Sequence, residues 1–154
     1  MGPTATVTRL DTWLVAASLL FAAQALGWVV LGSFDPFGVW DGLAADAFHG
    51  GHTPPAVEEF RRFLLGPFGA TTAGYFVLFA AVARYPFRAR EPWALVALGG
   101  SLALWFSVDS LASLARGGLF NVLLVNVPCA LILGLPLWRL RPLFADRDRP
   151  QPRR

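Results

Sequence analysis

The fold is decided by residues 93–114, WALVALGGSLALWFSVDSLASL, an apolar stretch that contains one charged residue, Asp109. An α-helix of about 20 residues crosses a hydrocarbon layer about 30 Å thick. We interpret three other apolar stretches as further crossings: residues 13–31, 68–82 and 119–138. Because lipid offers the backbone no hydrogen-bond partner, each crossing is expected to be helical. The sequence therefore predicts an all-α, four-helix transmembrane bundle.

Composition supports a membrane protein of one domain. Apolar residues make up 55% of the chain and charged residues 15%, whereas about a quarter of a soluble domain is charged. The isoelectric point is near 10, but all thirteen cations are arginines and most stand beside span ends. That placement is typical of a topology signal and does not indicate nucleic-acid binding. We predict a membrane domain, residues 1–142, and an Arg-rich cytoplasmic tail, residues 143–154.

The arginines also orient the chain. With a cytoplasmic N-terminus, only Arg61, Arg62 and Arg116 lie outside. Cytoplasmic loops carry the excess of basic residues, so both termini are predicted to be cytoplasmic. The cytoplasmic arginines are then Arg9, Arg84, Arg88, Arg90, Arg139, Arg141, Arg147, Arg149, Arg153 and Arg154. The absence of lysine is typical of a GC-rich bacterial gene, which indicates a bacterial cytoplasmic membrane.

The first span and the outer loop of the predicted topology each need a closer description. Arg9 followed by an apolar run and Ala23-Gln24-Ala25 resembles a cleavable signal peptide, but the sequence stays apolar to Leu31, which favours an uncleaved span. The outer loop, residues 32–65, predicts a short interfacial helix at residues 40–48. A second helix is predicted to start at residues 53–55 (TPP), run to residue 65 and bend at Pro67 into the second span.

Small residues at a spacing of four predict close helix packing. The rows are Gly66, Ala70 and Gly74; Gly69 and Ala73; Ala97 and Ser101; and Ala130 and Gly134. We interpret them first as packing within one bundle, with a homo-oligomer seam as the alternative.

Asp109 is the most unusual residue chemically, because an acid inside a span is costly and is a functional candidate by default. An ion pair with Arg116, seven residues later, is the structural alternative. Several polar groups share its outer depth in the predicted topology. The candidate ligand-binding residues are therefore Gln24, Thr71, Tyr75, Trp105, Asp109, Asn121 and Asn126. Interhelical hydrogen bonding is the other interpretation of this set. Pro128 favours the ligand-binding interpretation, because it frees the Leu124 carbonyl near Asn126 in the fourth span.

Metal, redox and enzyme chemistry find little support in the sequence. His49 and His52 are the only histidines, and the flexible Gly50-Gly51 between them favours a solvated loop over a metal site. Cys129 is the only cysteine, so an intrachain disulfide and a CxxC pair are excluded. No phosphate loop or nucleophile elbow is present, and no particular cofactor is predicted.

The length, the span count and segments such as residues 66–70 (GPFGA) and 105–109 (WFSVD) resemble the small four-span bacterial membrane proteins of DoxX-like type. The resemblance implies a compact bundle with both termini inside. It also implies a role like that of family members that look like accessory subunits of respiratory or sulfur-oxidising, quinone-linked complexes. It implies no catalytic residue for this chain.

Three functions follow as hypotheses. The first is a non-enzymatic accessory or scaffold subunit that packs against a membrane-protein partner or a second copy, within membrane lipids. The second is a binder or carrier of a lipophilic molecule, such as a quinone, lipid or isoprenoid, in a pocket that contains Asp109 and the two asparagines. The third is a membrane enzyme on a lipophilic substrate, with Asp109 as general acid or base.

Overall fold

The computed structural model describes residues 3–33, 35 and 37–145, which form helices and no strand. The helices are α1 (Pro3–Leu31), α2 (Val39–His49), α3 (Pro55–Val82), α4 (Pro92–Leu114), α5 (Leu119–Asn121), α6 (Val127–Leu140) and α7 (Pro142–Ala145). Two π-helical turns, Ala83–Phe87 and Val122–Asn126, extend α3 and join α5 to α6. Most of the predicted tail, from residue 146 onward, lies outside the described residues.

Four helical segments are long and apolar enough to cross a membrane: Ala5–Leu31, Pro55–Phe87, Pro92–Leu114 and Leu119–Leu140. The prediction of an all-α four-helix transmembrane bundle is confirmed, and the chain is a multi-pass membrane protein. Large apolar side chains such as Val30 (80% exposed) and Val96 (72% exposed) point away from the bundle. They would face water in a soluble protein but face hydrocarbon here.

The second crossing is longer than the bilayer requires. Its 33 residues rise about 50 Å at 1.5 Å per residue, whereas the hydrocarbon layer is about 30 Å thick. The helix predicted before Pro67 and the second span are therefore one helix, with Pro67 inside it. Its first turns carry Arg61, which contacts Asp41 of α2 at 2.6 Å.

The bundle places α1 against both α3 and α6, and α4 against α6 and the π-helical turn Ala83–Phe87. We call the end that holds residues 3 and 145 the proximal end, and the opposite end the distal end. Buried apolar residues such as Leu14, Phe79, Leu98 and Leu133 fill the half of the bundle nearer the proximal end. The hydrogen-bonded side chains Asp109, Ser113, Asn121 and Trp40 lie at the distal end.

The α1 and α3 helices approach each other closely at Gly69. A Cβ atom added at Gly69 would lie 2.6 Å from the Ala25 carbonyl oxygen and 2.9 Å from Val29 Cγ2. Ala73, one turn later, is buried in the same seam. By contrast, added Cβ atoms at Gly66 and Gly74 would meet nothing within 4 Å. The Gly69–Ala73 pair therefore packs the bundle, and the Gly66, Ala70 and Gly74 row faces away from it.

Two prolines lie in the last span, and the hydrogen bonds around each of them are rearranged. Pro136 has no N–H to donate to the carbonyl of Ile132, four residues earlier. The indole Nε1–H of Trp13 donates to that oxygen instead, at 3.0 Å. Ahead of Pro128 the helix widens, and the Val127 N–H bonds to the Val122 carbonyl five residues back. Neither proline ends the span, because other donors or a changed register replace its missing hydrogen bond.

Candidate functional site

Asp109 lies in a group of hydrogen-bonded side chains at the distal end, which we call the distal polar cluster: Asp109, Ser113, Asn121 and Trp40. The Asn121 Nδ2 atom donates to Asp109 Oδ2 at 3.3 Å and to Ser113 Oγ at 3.0 Å. The indole Nε1–H of Trp40 donates to Asn121 Oδ1 at 3.3 Å. Asn121 therefore joins three helices, α2, α4 and α5, through one amide.

A tight turn brings these residues together. The α4 helix ends at Leu114, and Gly117 has a positive φ of 78°, a left-handed conformation that glycine adopts without strain. The Gly118 N–H then bonds to the Ser113 carbonyl at 2.8 Å, and α5 begins at Leu119. The turn reverses the chain so that Asn121 faces Asp109 and Ser113 on the preceding helix.

The α2 helix covers this cluster. Its residues Trp40 and Phe48 pack edge-on against the ring of Phe120, with ring centroids 5.5 and 6.2 Å away. Arg61 of α3 holds α2 in place through Asp41, at 2.6 Å, and is itself held by Glu58 at 2.9 Å. The helix predicted at residues 40–48 is thus present as Val39–His49, fixed by aromatic contacts on one side and an ion pair on the other.

Asn126 forms a separate and more deeply buried pair. Its side chain is fully buried, and its Nδ2 atom donates to Ser110 Oγ at 3.0 Å. Its Oδ1 atom has no hydrogen-bond partner among the described residues. A buried amide oxygen without a partner costs about 1–3 kcal/mol. Asn126 is therefore the polar group of this region that is not satisfied by its neighbours.

The other predicted site residues do not join either group. The Tyr75 hydroxyl donates to Ser101 Oγ at 3.1 Å, which links α3 to α4 nearer the bundle centre. Thr71 is exposed and bonds within its own helix, to the Pro67 carbonyl at 2.9 Å. Trp105 packs on the apolar core. Gln24 is partly buried on α1 and takes part in none of the cluster's hydrogen bonds.

Asp109 does not pair with Arg116 in the described part of the chain. The Arg116 guanidinium, in the turn after α4, donates instead to the Ala112 carbonyl of α4, at 3.2 Å. The Asp109 carboxylate accepts a hydrogen bond from Asn121, which the chain reversal places against it. The side chains of the distal polar cluster therefore bond to one another, and these hydrogen bonds join the helices.

Two surface grooves lie elsewhere on the described part of the bundle, and no residue of the distal polar cluster lines either of them. The larger, which we call the α4–α6 groove, has a volume of about 580 Å³. Its floor is made by small residues in two rows with a spacing of four, Gly99 and Ala103 on α4, and Ala130 and Gly134 on α6. Gly100 also lines it, and an added Cβ there would meet nothing within 4 Å. The groove is open to the surrounding lipid.

Sequence reasoning missed one buried ion pair, at the proximal end. Asp11 of α1 is 4% exposed, and Arg90 donates to both of its carboxylate oxygens, at 2.9 and 2.6 Å. The Arg90 guanidinium also lies over the rings of Phe87 and Phe144, 5.7 and 5.6 Å from their centroids. A signal was available, because an acid at the start of an apolar span requires a partner. Phe144 belongs to the segment predicted as a tail and is buried here.

The histidines and the comparisons add no further site. No group of three or more His, Cys, Asp or Glu side chains among the described residues is placed to hold a metal ion. Comparisons with protein-family models, with curated proteins and with solved structures found no match to this chain.

Proposed function

We propose that this chain is a small, non-enzymatic accessory or scaffold subunit of a bacterial cytoplasmic membrane. In this proposal the α4–α6 groove receives a transmembrane helix, from another membrane protein or from a second copy. Both termini face the cytoplasm. The observation that carries the proposal is the small-residue floor of this lipid-facing groove.

The shape of the groove favours a helix as its occupant. In lipid no hydrophobic force drives helices together, so association depends on close backbone approach at small residues. Gly99, Gly100 and Ala103 remove side-chain bulk from α4 over a full helical turn, and Gly134 does so on α6. An occupant helix could therefore reach the backbone of both walls. The exposed Gly66, Ala70 and Gly74 row on α3 lies on a single helix and has no opposite wall.

The polar residues support a structural role over a catalytic one. The Asp109 carboxylate accepts a hydrogen bond from Asn121, and Trp40 and Phe48 of α2 lie over the same end of the bundle. A general acid or base must reach a substrate within hydrogen-bond distance. Asp109 lines neither of the two grooves described above.

Charge supports the proposed orientation. The proximal end of the described chain carries exposed arginines, among them Arg84, Arg88 and Arg139. At the distal end, Arg61 and Arg62 are paired with Glu58, and Arg61 also with Asp41. An excess of basic residues beside the span ends on one side is the pattern that selects the cytoplasmic face. The resemblance to DoxX-like proteins also favours an accessory role.

Helix docking is tested by filling the groove. Gly100→Leu places a side chain on its floor, while Ala97→Leu adds similar bulk to an exposed position of the same helix outside the groove. Membranes are solubilised in mild detergent, and the mass of the complex is measured on native gels. We expect Gly100→Leu to reduce the complex at least about ten-fold, the effect of about 1.4 kcal/mol, and Ala97→Leu to leave it intact.

Two results would contradict the proposal. One is a chain that migrates as a monomer before any substitution is made. The other is a complex that survives Gly100→Leu but is lost in Gly74→Leu, which would move the contact to the exposed row on α3.

A carrier of a lipophilic molecule is the second candidate. The Oδ1 atom of the fully buried Asn126 has no hydrogen-bond partner in the described part of the chain. This favours the carrier, since a ligand hydroxyl would satisfy that oxygen. Mass spectrometry of lipids extracted from the purified chain tests this candidate. A stoichiometric isoprenoid or quinone that is lost in Asn126→Leu would support it, and extracts that are unchanged by this substitution would contradict it.

A further inference from the structure

We propose that a second groove, between α1 and α6 at the proximal end, binds one acyl chain of an anionic phospholipid, whose phosphate is held by Arg139. The groove has a volume of about 330 Å³ and is lined by Leu10 and Trp13 of α1 and by Leu131, Leu135, Pro136 and Arg139 of α6, among others. This inference depends on membrane insertion and not on the helix-docking role of the α4–α6 groove.

The walls of this groove suit a thin hydrocarbon chain. They are formed by large side chains, and no glycine lines them. A helix backbone therefore cannot approach closely, as it can in the α4–α6 groove. Trp13, Leu131 and Leu135 are about half exposed, at 52%, 51% and 47%, so they present apolar surface sideways to the lipid.

The carbonyl oxygen of Ile132, a polar atom in this apolar surface, already accepts a hydrogen bond. Pro136 leaves the Ile132 carbonyl without its helical donor, and a free carbonyl in an apolar groove would favour a polar occupant or water. The indole of Trp13 donates to that carbonyl at 3.0 Å. The interior of the groove is therefore apolar along its length, and its charge is confined to one end.

That end is formed by Arg139, in the last turn of α6. Arg139 is exposed and forms no ion pair with a carboxylate among the described residues. A guanidinium at the end of a span lies at headgroup depth and can bind a phosphate through two parallel hydrogen bonds. Bulky apolar walls that keep a helix backbone away, together with an arginine that has no carboxylate partner among the described residues, suit a lipid with an acyl chain and an anionic headgroup.

The test uses the full chain, delipidated in detergent and titrated with phosphatidylglycerol or phosphatidylcholine of the same acyl chains. Bound lipid is counted by native mass spectrometry. Arg139→Gln removes the charge, Leu135→Trp fills the groove, and Arg88→Gln removes an exposed arginine at the same end that does not line the groove. Far-ultraviolet circular dichroism confirms that each variant keeps its helices.

We expect the unchanged chain to bind the first phosphatidylglycerol about five-fold more tightly than phosphatidylcholine, a ratio that corresponds to about 1 kcal/mol for one cation. Arg139→Gln should abolish that preference, Leu135→Trp should weaken both lipids, and Arg88→Gln should change neither. Soluble glycerol phosphate, which lacks acyl chains, should not bind.

Three outcomes would overturn the proposal. One is equal affinity for the two lipids, and another is an equal effect of Arg139→Gln and Arg88→Gln. The third is a Leu135→Trp variant that binds lipid normally but loses a protein complex, because the groove would then hold a partner helix.

Discussion

Asp11 and Arg90, which are 79 residues apart in the sequence, form a bidentate ion pair that ties α1 to the turn before α4. Arg90 has a positive φ of 61°, a left-handed backbone that costs a non-glycine residue about 1–2 kcal/mol. The pair and the rings of Phe87 and Phe144 hold it there. The proximal end of the bundle is thus closed by one arginine held against a nearly buried acid.

Removing Arg90 should destabilise the bundle strongly. Arg90→Gln leaves the 4%-exposed Asp11 without its charged partner, and breaking a buried ion pair costs about 3–5 kcal/mol. We expect about 3 kcal/mol, because the Arg90 side chain is 18% exposed. The free energy of unfolding is measured by titrating the detergent-solubilised chain with sodium dodecyl sulfate. Arg88→Gln, at an exposed neighbour, is the control and should cost less than about 0.5 kcal/mol. Equal losses would contradict the account.

The α1–α3 seam should not tolerate a methyl group at Gly69. The added Cβ would lie 2.6 Å from a backbone oxygen of α1, so the two helices must separate. Overpacking of this kind costs about 1–3 kcal/mol, which the same unfolding titration measures. Gly74→Ala is the matched control on α3, because its Cβ would meet nothing within 4 Å. It should be neutral or slightly stabilising. A stability for Gly69→Ala equal to that of Gly74→Ala would place the seam elsewhere.

The α2 helix should loosen when Arg61 is replaced. Arg61→Ala removes the contact of 2.6 Å to Asp41, while the aromatic contacts to Phe120 remain. We expect faster amide hydrogen exchange across Val39–His49, with the spans unchanged. Arg62→Ala is the control, because Arg62 is 66% exposed and pairs with Glu58. Exchange that accelerates equally in both variants would show that general charge, and not the Asp41 contact, holds α2.

The two asparagines should differ in how much stability is lost when each is replaced by leucine. Asn121→Leu removes hydrogen bonds to three partners and should destabilise the chain by about 1–3 kcal/mol. Asn126→Leu removes one bond to Ser110 and one unpaired buried oxygen, so it should be nearly neutral. Unfolding titrations of both variants measure this difference. A larger loss for Asn126→Leu would mean that its Oδ1 atom has a partner, such as a bound molecule.

Much of the fold could be predicted because apolar length and proline position are read directly from the sequence. The third and fourth spans and the short helix near Trp40 agree with the structure to within a few residues. The face that each helix turns inward could not be predicted, because in lipid both faces are apolar. Thus Gly66 and Gly69 were equal candidates by spacing, and only the structure shows that Gly69 packs against α1.

The candidate site shows the same limit. Asp109 and Asn121 were expected at one depth, and they do bond. The hydrogen-bond partner of Asp109 depends on the turn at Gly117. That partner is Asn121 and not Arg116. The Asp11–Arg90 pair depends on how three helices return to the proximal end. The role of the seven candidate residues in binding a ligand stays a prediction.

The most direct test of the scaffold role is photo-crosslinking in native membranes. Benzoylphenylalanine replaces Val96, on the rim of the α4–α6 groove, or Leu78, on the outer face of α3. The two side chains are similarly exposed, at 72% and 64%. The account predicts a protein adduct of one defined mass from position 96, lost when Gly100→Leu is added, and none from position 78. Lipid adducts alone from position 96, or the same protein adducts from both positions, would contradict it.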